Sequence, residues 1–136
     1  MHTEHLANVR PARVAMGWFM GAALFSLLFF GLVSTGVLNG VSGGGGWLLL
    51  AMFIGYGAAG WMVGRQAGAA PILHGIFIGL FSIPVWLAAN LLGSVFNVST
   101  LNEVSAVLVL SAVLLQVLAA ALGGLLGSRA AARPTS

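Results

Sequence analysis

Polar positions along this chain are bunched rather than periodic. Four long apolar runs alternate with short polar or glycine-rich gaps, and none of the runs contains a charged residue. They cover about Val14 to Val37, Trp47 to Gly64, Ile72 to Val95 and Val104 to Leu126. A helix needs about 20 apolar residues to cross roughly 30 Å of hydrocarbon, so each run predicts a transmembrane helix. The expected fold is an all-α integral membrane domain spanning residues 1–136. It is a four-helix bundle with short tails at 1–13 and 127–136.

The gaps read as loops. "NGVSGGGG" (39–46) carries four consecutive glycines, which impose no single conformation. "FNVSTLNEVS" (96–105) offers Ser99 or Thr100 as the cap of a short segment and Asn102 as the cap of the fourth helix. Its Asn97-Val98-Ser99 fits the N-glycosylation pattern, but such triplets arise by chance. The first run is too long for the 7–15 residues of a secretory h-region and reads as a retained signal anchor.

Composition changes the picture by excluding alternatives. The chain is 60% hydrophobic and 5% charged, with mean hydropathy +1.06. A soluble domain carries roughly 25% charged residues, so this chain cannot cover a water-facing surface and its solvent is a lipid bilayer. The pI of about 11.4 comes from five Arg against Glu4 and Glu103. The arginines are dispersed and form no basic stripe with interleaved aromatics, so nucleic acid is not an expected partner. With no Cys, disulfides and thiol chemistry are excluded.

Arg placement sets the expected orientation. Arg10 and Arg13 precede the first run, Arg65 lies between the second and third, and Arg129 and Arg133 follow the fourth. The other two gaps hold no Lys or Arg. All five charges fall on one side of a four-span topology, which the positive-inside rule makes cytoplasmic. An Arg-only, Ala/Gly-rich chain has a bacterial look. The expected location is therefore the bacterial inner membrane with both termini inside.

Small residues recur at helical spacing. Gly60, Gly64 and Gly68 form one row; Ala119, Gly123 and Gly127 form another, beside Ala120, Gly124 and Ser128. Gly17 with Gly21, and Gly75 with Gly79, add shorter rows. In lipid, close packing of small residues replaces the hydrophobic effect between helices. These glycine zippers are expected either to pack one bundle or to present a row to a second copy or another membrane protein. Two echoes also point to a pair of repeated helical hairpins. G-x-F-x-G opens both the first and third helices, and a small residue, Gly and Arg close the second and fourth.

Polar residues inside the spans are hypotheses by default. His74 stands at the entrance of the third helix and could titrate, although an interfacial His more often caps or bonds a neighbour. Pro84 is expected to kink that helix near Gly79 to Leu80, with Ser82 helping to satisfy the break. Asn90 and Gln116 are read as interhelical glue, or else as the lining of a solute path. Trp47 and Trp18 are expected to anchor opposite membrane surfaces. "MHTEH" could hold a metal through His2, Glu4 and His5, but reads better as a tail. No span contains an acid, and no nucleophile triad, zinc motif or phosphate loop is present. Neither a catalytic residue nor a cofactor is expected.

"GYGAAGWMVGRQAG" followed by "ILHGIFIGL" resembles the core of a family of small, uncharacterised four-span bacterial membrane proteins. In that family a Gly-rich second helix ends in a basic turn and Leu-His-Gly opens the third. The likeness covers Gly55 to Leu80 and implies topology without a mechanism. A second likeness, through Gly60, Gly68 and Pro71, is to the hairpin of the small accessory protein of bacterial ATP synthase operons. That family usually has an acid where this chain has Gly64. The functional expectation is an accessory, assembly or structural subunit acting through Gly-mediated helix packing. Its rival is a small oligomeric transporter or channel with a polar path near Pro84, Asn90 and Gln116.

Overall fold

A computed structural model describes residues 5–38, 44–95 and 106–132. Several expectations lie outside these residues: Arg133, His2 and Glu4, the Asn97 triplet, and the caps at Ser99, Thr100 and Asn102. A 3-10 turn at Leu6–Asn8 leads into α1 (Pro11–Ser34). Next come α2 (Gly44–Ala67), α3 (Pro71–Leu80), α4 (Ser82–Val95) and α5 (Ala106–Ala131). Four stretches are long and apolar enough to cross a membrane, α3 and α4 together forming the third. The protein is an all-α integral membrane protein with a four-span helical bundle.

The helices outrun the apolar windows that announced them. α1 begins at Pro11 and α3 at Pro71, each with Pro in the first turn, where its missing N–H leaves nothing unpaired. α5 continues to Ala131, past the expected end at Leu126, because a helix need not stop where the hydrocarbon does. α1 stops at Ser34, short of Val37, where Thr35 closes the last turn and Gly36 turns left-handed at φ +72°.

α5 shows how membrane packing inverts the soluble rule. Its buried stripe is Val113, Gln116, Ala119, Ala120, Gly123, Gly124, Gly127 and Ser128, almost all small or polar. Its exposed stripe is Leu114, Leu118, Leu122 and Leu126, large residues at i, i+4 spacing that face lipid. Burying the small side lets backbones meet. α5 packs along α2 and α3, while α1 packs along α2 and touches α3. α4 packs on none of the other spans to a comparable extent. Among the described residues the bundle is therefore tightest at the end where residues 10–13, 65–71 and 127–132 gather, and α4 stands apart at the other. Arg10, Arg13, Arg65 and Arg129 all belong to the tight end.

Candidate functional site

The polar groups of the tight half meet at one point. Trp18 in α1 donates its indole N–H to Ser82 Oγ at 2.7 Å. Ser82, the first residue of α4, donates its hydroxyl to Gln116 Oε1 in α5 through a short hydrogen bond. Gln116 turns its amide nitrogen toward Met52 Sδ in α2, at 3.7 Å. Tyr56, also in α2, is a further hydrogen-bond partner of Ser82. One hydroxyl and one amide thus tie all four spans together. A serine oxygen can donate once and accept twice, and this one uses that capacity across helices. No buried side-chain N or O among the described residues lacks a partner.

Ser82 was expected to serve the break made by Pro84. The helix is interrupted at Phe81, one residue past the expected Gly79 to Leu80, because Pro84 has no N–H for the Leu80 carbonyl. The neighbouring bonds persist: Phe81 N–H reaches the Phe77 carbonyl at 2.9 Å, and Val85 N–H reaches Phe81 at a stretched 3.4 Å. The break instead frees Ser82 to turn toward Trp18 and Gln116. Trp18 packs its ring on Phe81, with centroids 5.8 Å apart. It points into the bundle, not at a membrane surface, whereas Trp47 is exposed near the opposite end.

Asn90 and Gln116, paired by the sequence as one kind of polar residue, have different roles. Gln116 is 7% exposed and bonds across spans. Asn90 is half-buried and donates to the Trp86 carbonyl of its own helix at 2.8 Å, so among the described residues it ties α4 to no other span. The two do not line a common path through these contacts.

His74 is fully buried and is a strut. The Arg10 backbone N–H can only donate, and it donates to His74 Nε2 at 3.1 Å. The proton therefore sits on Nδ1, which donates to the Ala70 carbonyl at 2.8 Å. Both ring nitrogens of a neutral imidazole are used, and the segment before α1 is pinned to the first turn of α3. Ala70 makes this possible by adopting the left-handed conformation at φ +50°, uncommon for a residue with a Cβ.

The glycines divide by what they admit. A Cβ at Gly60 would overlap the Ala120 carbonyl, and one at Gly64 would overlap Gly124. Gly75 meets the backbone of Ala120 and Ala121, Gly79 meets Val117, and Gly124 meets the Pro71 carbonyl. Gly123 meets Gly57, and Gly127 meets the Trp61 carbonyl. Gly17 and Gly21 instead receive side chains, Ile78 and Tyr56 respectively. The two G-x-F-x-G motifs therefore make different kinds of contact. Gly55, which the sequence reading passed over, meets the α1 backbone at Gly21 and Phe25.

Gly68 must be removed from its row. It lies beyond the end of α2, its φ is +66°, and a Cβ there would meet nothing within 4 Å. It is a turn glycine, because the helical spacing that placed it with Gly60 and Gly64 does not survive past Ala67.

The arginines hold the tight end together as well as charging it. Arg13 donates from Nη1 to the carbonyls of Gln66 at 2.7 Å and Ala67 at 3.0 Å, capping α2 where a helix end attracts positive charge. Arg65 lies over the Trp61 ring, 4.8 Å from its centroid. No group of three or more potential metal ligands occurs among the described residues. Comparison with protein-family models, with curated proteins and with solved structures found no match to this chain.

Proposed function

We propose that this protein is a non-catalytic accessory, assembly or structural subunit of the bacterial inner membrane, with both termini in the cytoplasm. The observation that carries the reading is the Trp18–Ser82–Gln116 node, whose polar groups bond the spans of this chain to one another. A carrier needs groups that can exchange a protein partner for a solute, and Gln116 has both ends of its amide engaged. The gathering of four arginines at one end supports the orientation. Gly60, Gly64, Gly75, Gly79, Gly123, Gly124 and Gly127 serve the scaffold: their close neighbours include the backbone of this chain's other spans. Contact with a second copy or another membrane protein therefore falls to the large lipid-facing residues.

A small oligomeric channel is the second reading, favoured by the interruption at Phe81 and by Asn90 in the half where α4 stands apart. The deciding experiment is mild-detergent purification of a tagged copy, with the mass and identity of whatever co-migrates. A stoichiometric foreign membrane protein, retained when Asn90→Leu is introduced, is the expected result. A homo-oligomer that conducts ions or solutes in liposomes, and stops conducting on Asn90→Leu, would replace the subunit reading with the channel.

A further inference from the structure

The arginine end carries more positive charge than the protein neutralises. Arg13 is engaged by the end of α2, but the Arg65 guanidinium has no hydrogen-bond or ion-pair partner among the described residues. None of the described residues is a carboxylate, since the two acids, Glu4 and Glu103, both lie outside them. Trp61 lies one turn earlier on the same face, and the exposed Arg65 holds its guanidinium carbon over that ring, 4.8 Å from the centroid. A guanidinium held over an aromatic face keeps its N–H donors for a bidentate acceptor.

Two hollows flank this group. A cavity of about 130 Å³ lies between the ends of α2 and α5 and the start of α3, bounded by Arg65, Gly64, Pro71 and Ser128. A shallower one of about 280 Å³ is lined by Trp61, Met62, Arg65 and Gln66. Trp61 and Met62 are exposed toward lipid, with Ile54 and Leu50 further along α2. The vertical order is therefore charge, indole, then aliphatic surface, which matches the order of phosphate, glycerol and acyl chain in a phospholipid.

We propose that Arg65, held by Trp61, is a binding site for the phosphate of an anionic phospholipid in the leaflet at the arginine end. The site recognises a phosphodiester through the guanidinium fork and lays an acyl chain along Trp61, Met62 and Ile54. It does not rest on the subunit reading, and a channel could carry it equally well. Ordinary attraction of a single Arg to an anionic surface is worth about fivefold in affinity. A built site should exceed that, and should depend on the shape of the cation as well as its charge.

The test counts lipids retained by the detergent-purified protein in native mass spectrometry, after addition of phosphatidylglycerol or phosphatidylcholine. The wild type should retain phosphatidylglycerol preferentially. Arg65→Gln should lose that preference by more than about fivefold, and Arg65→Lys should recover only a minor part because it lacks the planar fork. Arg129→Gln should change it by no more than the generic charge effect. Equal losses for Arg65→Gln and Arg129→Gln, or full recovery with Arg65→Lys, would overturn the site in favour of diffuse charge. Displacement of phosphatidylglycerol by millimolar inorganic phosphate would overturn the lipid and assign the fork to a soluble anion.

Discussion

The two halves of this bundle are built from nearly the same residues and packed in opposite ways. From the arginine end to the middle of the bundle, glycine backbones meet the backbones of other spans, and His74, Ser82 and Gln116 hold bonds between elements. At the other end, α4 turns its amide back on itself through Asn90, and Gly31, Gly45 and Gly46 have nothing among the described residues within 4 Å of where a Cβ would stand. Apolar content does not distinguish the halves, since both must satisfy the bilayer. What distinguishes them is whether small residues recur at a spacing that lets two backbones approach, because in lipid close packing is the main source of helix association.

The sharpest way to break this comparison is to enlarge one residue in each half of the same helix. Ala120 is fully buried beneath Gly60 and Gly75, so Ala120→Leu has backbone on two sides and nowhere to relax. It should cost at least about 3 kcal/mol, the upper part of the overpacking range. Ala106→Leu, at the exposed far end of α5, should stay within about 0.5 kcal/mol. Denaturation of the helical signal in mixed detergent measures both. Similar midpoints for the two variants would remove the distinction.

The polar groups sharpen it next. Ser82→Ala deprives Trp18 and Gln116 of a shared partner inside the bundle and should cost roughly 1–3 kcal/mol. Asn90→Leu removes a bond to its own helix and should fall below the roughly 0.6 kcal/mol average for side-chain bonds between helices in membranes. A Ser82→Ala midpoint no lower than that of Asn90→Leu would show that the node is incidental. His74→Leu belongs with Ser82: it strands the Arg10 N–H, and the expected loss is about 1–3 kcal/mol. Trimming of the N-terminal segment by added protease, faster than in the wild type, is its specific signature. Among the arginine-end variants the smallest effect is expected from Arg13→Gln, which gives up the cap on α2 for about 0.3–1 kcal/mol.

The sequence made the spans and their charge asymmetry legible because both depend on composition within short windows. Helix ends were less legible: the apolar criterion passed over Pro11 and Pro71, which mark first turns by their own chemistry. The glycine rows could be drawn, but not what each would face. That depends on the register between spans far apart in sequence, which is why Gly55 was passed over and Gly68 wrongly included. The node shows the same limit. Trp18 and Ser82 are 64 residues apart, and Ser82 and Gln116 are 34 apart. No periodicity within one helix could pair them. The repeated G-x-F-x-G motifs looked equivalent, yet Gly17 and Gly21 admit side chains while Gly75 and Gly79 admit backbone.

An alanine scan of the glycines tests the central claim most directly, read as the fraction of each variant recovered as a monodisperse folded species. Gly36 and Gly68 are omitted, since their positive φ penalises any side chain. Sharp losses are expected at Gly60, Gly64, Gly75, Gly79, Gly123 and Gly127, with none at Gly31, Gly45 and Gly46. A flat profile, or losses concentrated at Gly31, Gly45 and Gly46, would contradict the division of this protein into a locked arginine half and an open far half.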